Sequence, residues 1–88
     1  MSTTLLIYDV PDDALRYRVA EACLDYGLRR VQYSAFMGAL SRNRQQEVLL
    51  RIRRVLGGAP ARIQLVPVCD KDARLMKEVV NAGYVVDR

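Results

Sequence analysis

Thr4 to Tyr8 is a short apolar run rich in strand formers, and it reads as a first β-strand. It stops at Asp9-Val10-Pro11, because proline offers no N–H to a ladder. Asp12 follows as an N-cap, and Asp13 puts a negative charge in the first helical turn, where the dipole favours it. Leu15, Val19, Ala22, Cys23 and Tyr26 then recur at helical spacing, and Gly27 stops this first helix. From Arg30 to Leu40 the period is two. Val31, Tyr33, Ala35 and Met37 fall on one side, and Gln32, Ser34, Phe36 and Leu40 on the other. The segment is long for one strand, so it reads as two strands or one bent strand, with Gly38 as the candidate irregularity.

Ser41 caps a second helix that runs to about Leu56, with Val48, Leu49, Ile52, Val55 and Leu56 on its core face. Gly57-Gly58 and Pro60 close it. Ala61 to Val68 alternates again and forms the next strand, with Pro67 placing its end at an edge or outside the ladder. Lys71 to Asn81 has the pattern of a short third helix, Gly83 ends it, and Tyr84-Val85-Val86 reads as a terminal strand.

The order β-α-β-β-α-β, followed by a helix and a strand, is that of the ferredoxin-like α+β plan: an antiparallel sheet with two helices on one face. Residues 1–88 form one such domain, with 1–68 as its core and 69–88 as a C-terminal helix and strand that complete a dimer. The dimer follows from the first strand. Leu5, Leu6, Ile7 and Tyr8 are apolar on both faces, yet the two helices cover only one. A second copy related by a two-fold axis is the simplest cover for the other, giving a face-to-face homodimer.

Composition narrows the chemistry. With 51% apolar and 27% charged residues, the chain is too apolar for disorder. It has no histidine, which excludes Ser-His-Asp and Cys-His nucleophiles, an imidazole base and any His-ligated metal. Cys23 and Cys69 are its only cysteines, so there is no disulfide framework, and they read as reduced thiols. No apolar run reaches the ~20 residues of a membrane helix, and the start lacks the charged region of a signal peptide. The expectation is a cytoplasmic protein with no membrane association. The net charge of +4 is unevenly placed. Residues 1–27 are net acidic, whereas residues 28–54 carry seven arginines against Glu47 alone. Arginine pairs with phosphate oxygens in two places at once, so this segment points to nucleic acid or another phosphate partner; a solvated helix face is the alternative.

Asp9 closes the first strand at the rim of the sheet. One reading is turn chemistry, since Asp at a strand end bonds backbone N–H groups. The other follows from the dimer. By parity Asp9 shares a face with Leu5 and Ile7, and a two-fold axis near that face brings two Asp9 carboxylates together. Such a pair repels unless a cation lies between them, and Mg²⁺ is held by one or two carboxylates plus water and phosphate. Hydrolysis at such a site needs no histidine.

LLIYDVPDD followed by GLRRVQYSAFMGALS resembles the Cas-two family of small CRISPR-associated adaptation proteins, and the likeness covers residues 4–68. The resemblance implies a ferredoxin-like homodimer that bridges two dimers of the CRISPR integrase and binds DNA during spacer acquisition. It also implies a metal-dependent endonuclease acting on single-stranded RNA or duplex DNA, with Mg²⁺ at paired aspartates. On this sequence the catalytic and metal-binding aspartate is Asp9. The nucleic-acid-binding positions fall on Tyr8, Arg16, Arg18, Arg30 and Phe36. Met37 and Ala39 stand where many relatives carry acids, so functions that rest on those acids are not implied.

Three functions compete: an endonuclease, a non-catalytic architectural DNA-binding subunit of the same complex, and a ferredoxin-like RNA-binding module. The last expects exposed aromatics on the sheet face. With one Phe and five Tyr, mostly at core-like positions that include Tyr8 and Tyr33, the sequence argues against it. Phe36, beside Gln32 and Ser34, reads as an interface residue. Arg16 and Arg18 lie about 200° apart around a helix and cannot share a face.

Overall fold

The computed structural model describes residues 2–85. Its elements are β1 (Ser2–Asp9), α1 (Asp13–Asp25), β2 (Arg29–Gln32), β3 (Ala35–Leu40), α2 (Arg42–Leu56), β4 (Arg62–Val68) and α3 (Asp70–Arg74). The sheet order is β2-β3-β1-β4, with each neighbouring pair antiparallel. This is the ferredoxin-like arrangement, in which β3 splits a β1-α1-β2 unit.

Local signals account for the helix ends. The Asp12 carboxylate accepts from Leu15 N at 2.9 Å, and Ser41 Oγ accepts from Arg44 N at 3.2 Å. Each satisfies one of the orphan amides of a first helical turn. At the other end of α1, Leu28 N donates to Cys23 O at 3.1 Å, and Gly27 takes φ 81, which a side chain would resist.

The core lies between the sheet and the two long helices. Thr4, Leu6 and Tyr8 project from β1 into it and meet Phe36 and Leu40 from β3, Val19, Ala22 and Cys23 from α1, and Val48 and Ile52 from α2. Thr4 is the buried polar residue of this layer, and its Oγ1 accepts from Gln45 Nε2 of α2 at 2.9 Å. Such a bond removes the cost of burying the hydroxyl.

Leu5, Ile7 and Asp9 project from the opposite face of β1, as alternation requires, with Ile7 37% exposed. Two helices therefore do leave one sheet face uncovered by helix packing. Ala73, Met76 and Val79, from the chain that follows β4, line an open cavity of about 800 Å³ together with Leu5, Ile7 and Met37 of that face.

Four expectations need correction. The segment 30–40 is indeed two strands, turning at Tyr33-Ser34, but its irregularity falls between Arg30 and Gln32, not at Gly38. That shift explains the second correction. Phe36 pairs with Leu6 and points into the core, fully buried, whereas Gln32 pairs with Ala35 on the open face. Gln32, one of the polar neighbours that made Phe36 look like an interface residue, does not share its side of the sheet, and Ser34 lies in the turn. Third, the final helix is five residues long, not Lys71–Asn81. Leu75, Met76, Val79 and Val80 are all exposed, so no buried face supports its continuation, and short helices are marginal without one. Fourth, Tyr84 and Val85 belong to no strand, and Val86 lies outside the described residues.

Candidate functional site

One end of the sheet gathers most of the residues singled out by sequence. β1 ends there at Tyr8 and Asp9, the β2–β3 turn presents Tyr33 and Ser34, and α1 begins beside them. The turn is tied to the strand end by a bond from Tyr8 N to Ser34 O at 3.0 Å. Asp9 is exposed, pairs across the ladder with Arg62, and makes no side-chain hydrogen bond or ion pair among the described residues. Its carboxylate is therefore not consumed by turn chemistry.

Arg16 reaches back from the first turns of α1. Its Nη1 donates to Val10 O at 3.0 Å, and its Nη2 pairs with Asp13. The guanidinium carbon lies 5.6 Å from the centroid of the Tyr33 ring. The hydrogen bond to Asp13 raises the Arg16 pKa further, so the group stays charged at any working pH. Arg30 approaches from β2. Its Nη1 donates to Tyr33 O, and its guanidinium carbon stands 4.8 Å from the Phe36 centroid. Arg16, Arg30 and Tyr33 line one cavity of about 180 Å³, together with Asp13, Tyr17 and Ala20.

Tyr8 and Phe36 support this corner from beneath. Their rings stack with centroids 6.2 Å apart, and both side chains are buried, so neither offers a surface to a nucleic acid in this chain. The Tyr8 Oη is buried without a hydrogen-bond partner. Burial pushes its pKa up from 10.0, while the charge of Arg30 pulls the other way. Arg18 is exposed on α1 and is not brought to the cavity, as the helical angle from Arg16 requires.

Sequence reasoning placed Tyr33 in the core, but it is 50% exposed. Tyr17 and Tyr84 are also exposed, so the tyrosines are not mostly core residues. None of the three lies on the open sheet face, which carries Thr3, Leu5, Ile7, Met37 and Ala39. On α2 the arginines divide. Arg51 pairs with Asp25 at 2.7 Å, and Arg44 stacks on Tyr26 at 4.5 Å and pairs with Glu47 at 3.6 Å. Arg42, Arg53 and Arg54 are exposed and make no ion pair among the described residues. The bridge to Arg51 also offsets the poor placement of Asp25 at the negative end of α1.

Among the described residues, no group of three or more His, Cys, Asp or Glu side chains could hold a metal ion. No described helix is long and apolar enough to cross a membrane.

These features define a small ferredoxin-like domain with an acidic strand end flanked by arginines. A family model described as CRISPR associated protein Cas2 matches residues 1–76, and the chain belongs to that family. The CRISPR-associated endoribonuclease Cas2 of Desulforudis audaxviator is 48% identical over 81 residues, which cover 91% of this chain and 76% of that protein. A CRISPR-associated endonuclease Cas1/endonuclease Cas2 fusion from Thermoproteus tenax is 34% identical over 64 residues, 73% of this chain and 24% of the fusion. Among solved structures, Streptococcus pyogenes Cas2 at pH 6.5 superposes with a TM-score of 0.74 at 22% identity. That match covers 89% of this chain and 99% of the other, and it speaks to the fold.

Proposed function

We propose that this chain works as a homodimeric, Mg²⁺-dependent endonuclease of CRISPR adaptation that hydrolyses phosphodiesters of RNA or DNA at Asp9. The observation that carries the reading is the placement of Asp9: exposed, free of other side chains, and on the same open face as Leu5 and Ile7. The Desulforudis relative, named an endoribonuclease, supports the activity.

The half-exposed apolar residues Ile7 and Val66 favour a second copy against this face. One chain offers a lone carboxylate, and two copies offer a pair of Asp9 side chains, a donor set that suits Mg²⁺ with its remaining positions filled by water and phosphate oxygens. Bound there, the ion would supply an activated water and neutralise charge developing on the phosphate. Asp9 would hold the ion, and Arg16 and Arg30 would orient the phosphate backbone. The partner is the integrase of the adaptation complex, a reading supported by the Thermoproteus relative, in which Cas1 and Cas2 endonucleases form one chain.

A second reading makes the dimer an architectural DNA-binding subunit, with no cleavage. The exposed Arg42, Arg53 and Arg54 of α2, without an ion pair among the described residues, favour it, since free cations serve phosphate tracking without chemistry.

The test compares wild type with Asp9→Asn at matched dimer concentration. Single-stranded RNA and duplex DNA are each incubated with Mg²⁺ and with EDTA, and cleavage and binding are scored separately. The nuclease reading expects cleavage only by wild type with Mg²⁺, with binding retained by both proteins. If both bind duplex and neither cuts, or both cut alike, the architectural reading replaces it.

A further inference from the structure

Tyr33 occupies the two-residue turn between Gln32 and Ala35. It carries a large ring with half its surface open to water. The ring is nevertheless held. The Arg16 guanidinium stands 5.6 Å from its centroid, Arg30 bonds its carbonyl, and the next residue, Ser34, bonds Tyr8 N. The two backbone bonds fix the turn and the guanidinium contact biases the ring, which lowers the entropy cost of stacking a ligand on it. The guanidinium on the ring also strengthens its attraction for an electron-rich or π-faced ligand. Beside it lies the open 180 Å³ cavity lined by Arg16 and Arg30, whose two guanidiniums suit a phosphate group.

We infer that Tyr33 is a base-stacking platform that selects unpaired nucleic acid: one base of a single strand lies on the Tyr33 ring, and the adjoining phosphate enters the cavity between Arg16 and Arg30. In a duplex each base is already stacked on its neighbours and has no free face, so the platform discriminates by strandedness and not by base identity. Asp13 also lines the cavity and pairs with Arg16 Nη2, so Arg16 and Arg30 share the phosphate contact. The inference rests on the proposed nuclease reading only in placing this strand beside Asp9; the stacking itself needs no metal and no cleavage.

The chain contains no tryptophan, so Tyr33→Trp installs a single fluorescent reporter at the platform. The experiment is run in EDTA, where binding is read without hydrolysis. A short single-stranded RNA, the same strand with abasic positions, and a blunt duplex of equal length are titrated into the Tyr33→Trp protein. The single strand is expected to quench the emission, and the abasic strand and the duplex are not. In parallel, Tyr33→Ala should weaken single-strand binding by roughly tenfold or more, the scale of one lost base stack, and leave duplex binding unchanged. Tyr33→Phe keeps the ring and should retain affinity, which separates stacking from a folding defect. Equal quenching by the abasic strand, unaltered affinity in Tyr33→Ala, or no binding of the single strand overturns the inference. Loss of cleavage reading alone, with these binding results intact, overturns only the nuclease assignment.

Discussion

A methyl group placed on Gly38 would stand 2.8 Å from Leu28 Cδ2 and 3.2 Å from Leu28 Cα. Leu28 is buried where the chain leaves α1 to enter β2, so β3 must pass this point without a side chain. The pattern of the strand marked Gly38 as an irregularity of pairing; the structure makes it a close approach, with the ladder continuous through it.

Gly38→Ala is therefore expected to lower unfolding free energy by about 1–3 kcal/mol, the range for overpacking a filled core. Gly58 supplies the contrast, since nothing lies within 4 Å of the equivalent position there. Gly58→Ala should leave stability unchanged or raise it slightly. Urea denaturation of both variants checks the pair, and similar losses in the two would refute the packing explanation.

Tyr8 carries a buried hydroxyl with no partner, above a ring that stacks on Phe36. An unsatisfied buried donor costs about 1–3 kcal/mol, so Tyr8→Phe should fold at least as stably as wild type. Because the ring does not reach the surface, nucleic-acid affinity should also be unchanged in this variant. A stability loss above about 1 kcal/mol would show that the hydroxyl is satisfied after all, with the Arg30 guanidinium as its partner.

The architecture was legible because its signals are local and redundant. Asp12 and Ser41 cap as their residue types suggest, and β1 alternates between a helix-covered face and an open one. Asp9 could be placed on the open face by parity alone. What escaped was set by tertiary context. A register shift of one residue between Arg30 and Gln32 reversed the expected facing of Phe36, since strand periodicity carries no memory across a bulge. The pattern at 71–81 promised a helix, but no surface was available to bury Val79, which is 92% exposed. Tyr33 looked like core because aromatic residues on strands usually are; only its position in a turn, held by two arginines, puts it outside.

Cys23 should make the protein sensitive to alkali. Burial pushes its thiol up from 9.0 to about 12, with Arg30 and Arg51 opposing the shift. The folded state thus keeps a proton that the unfolded chain releases above pH 9.0. The corresponding stability is fully present below that pH and is lost as pH rises toward about 12, with a slope of at most ~1.4 kcal/mol per pH unit. Tyr8, raised from 10.0, adds to the same trend at the upper end. Chemical denaturation across this range should show the slope, and Cys23→Ala should flatten it. Native labelling with a thiol reagent should modify Cys69, which is exposed, and spare Cys23.

Arg16 and Arg18 separate what position does from what charge does. They are two residues apart on α1 and carry the same charge, but only Arg16 lines the cavity beside Tyr33. A diffuse electrostatic attraction would weigh them about equally, because their backbones are only about 3 Å apart along the helix, well inside a Debye length. A built phosphate contact would not. Arg16→Gln should therefore weaken single-strand binding and reduce the slope of log affinity against log salt by about 0.7, the value for one phosphate contact on a single strand. Arg18→Gln should leave that slope nearly unchanged. Arg16→Lys should restore the charge but not the bond to Val10 O held together with the ring contact, since an ammonium lacks the planar fork. If Lys restores full affinity, or if Arg18→Gln costs as much as Arg16→Gln, the corner attracts nucleic acid by net charge alone and the cavity is not its binding site.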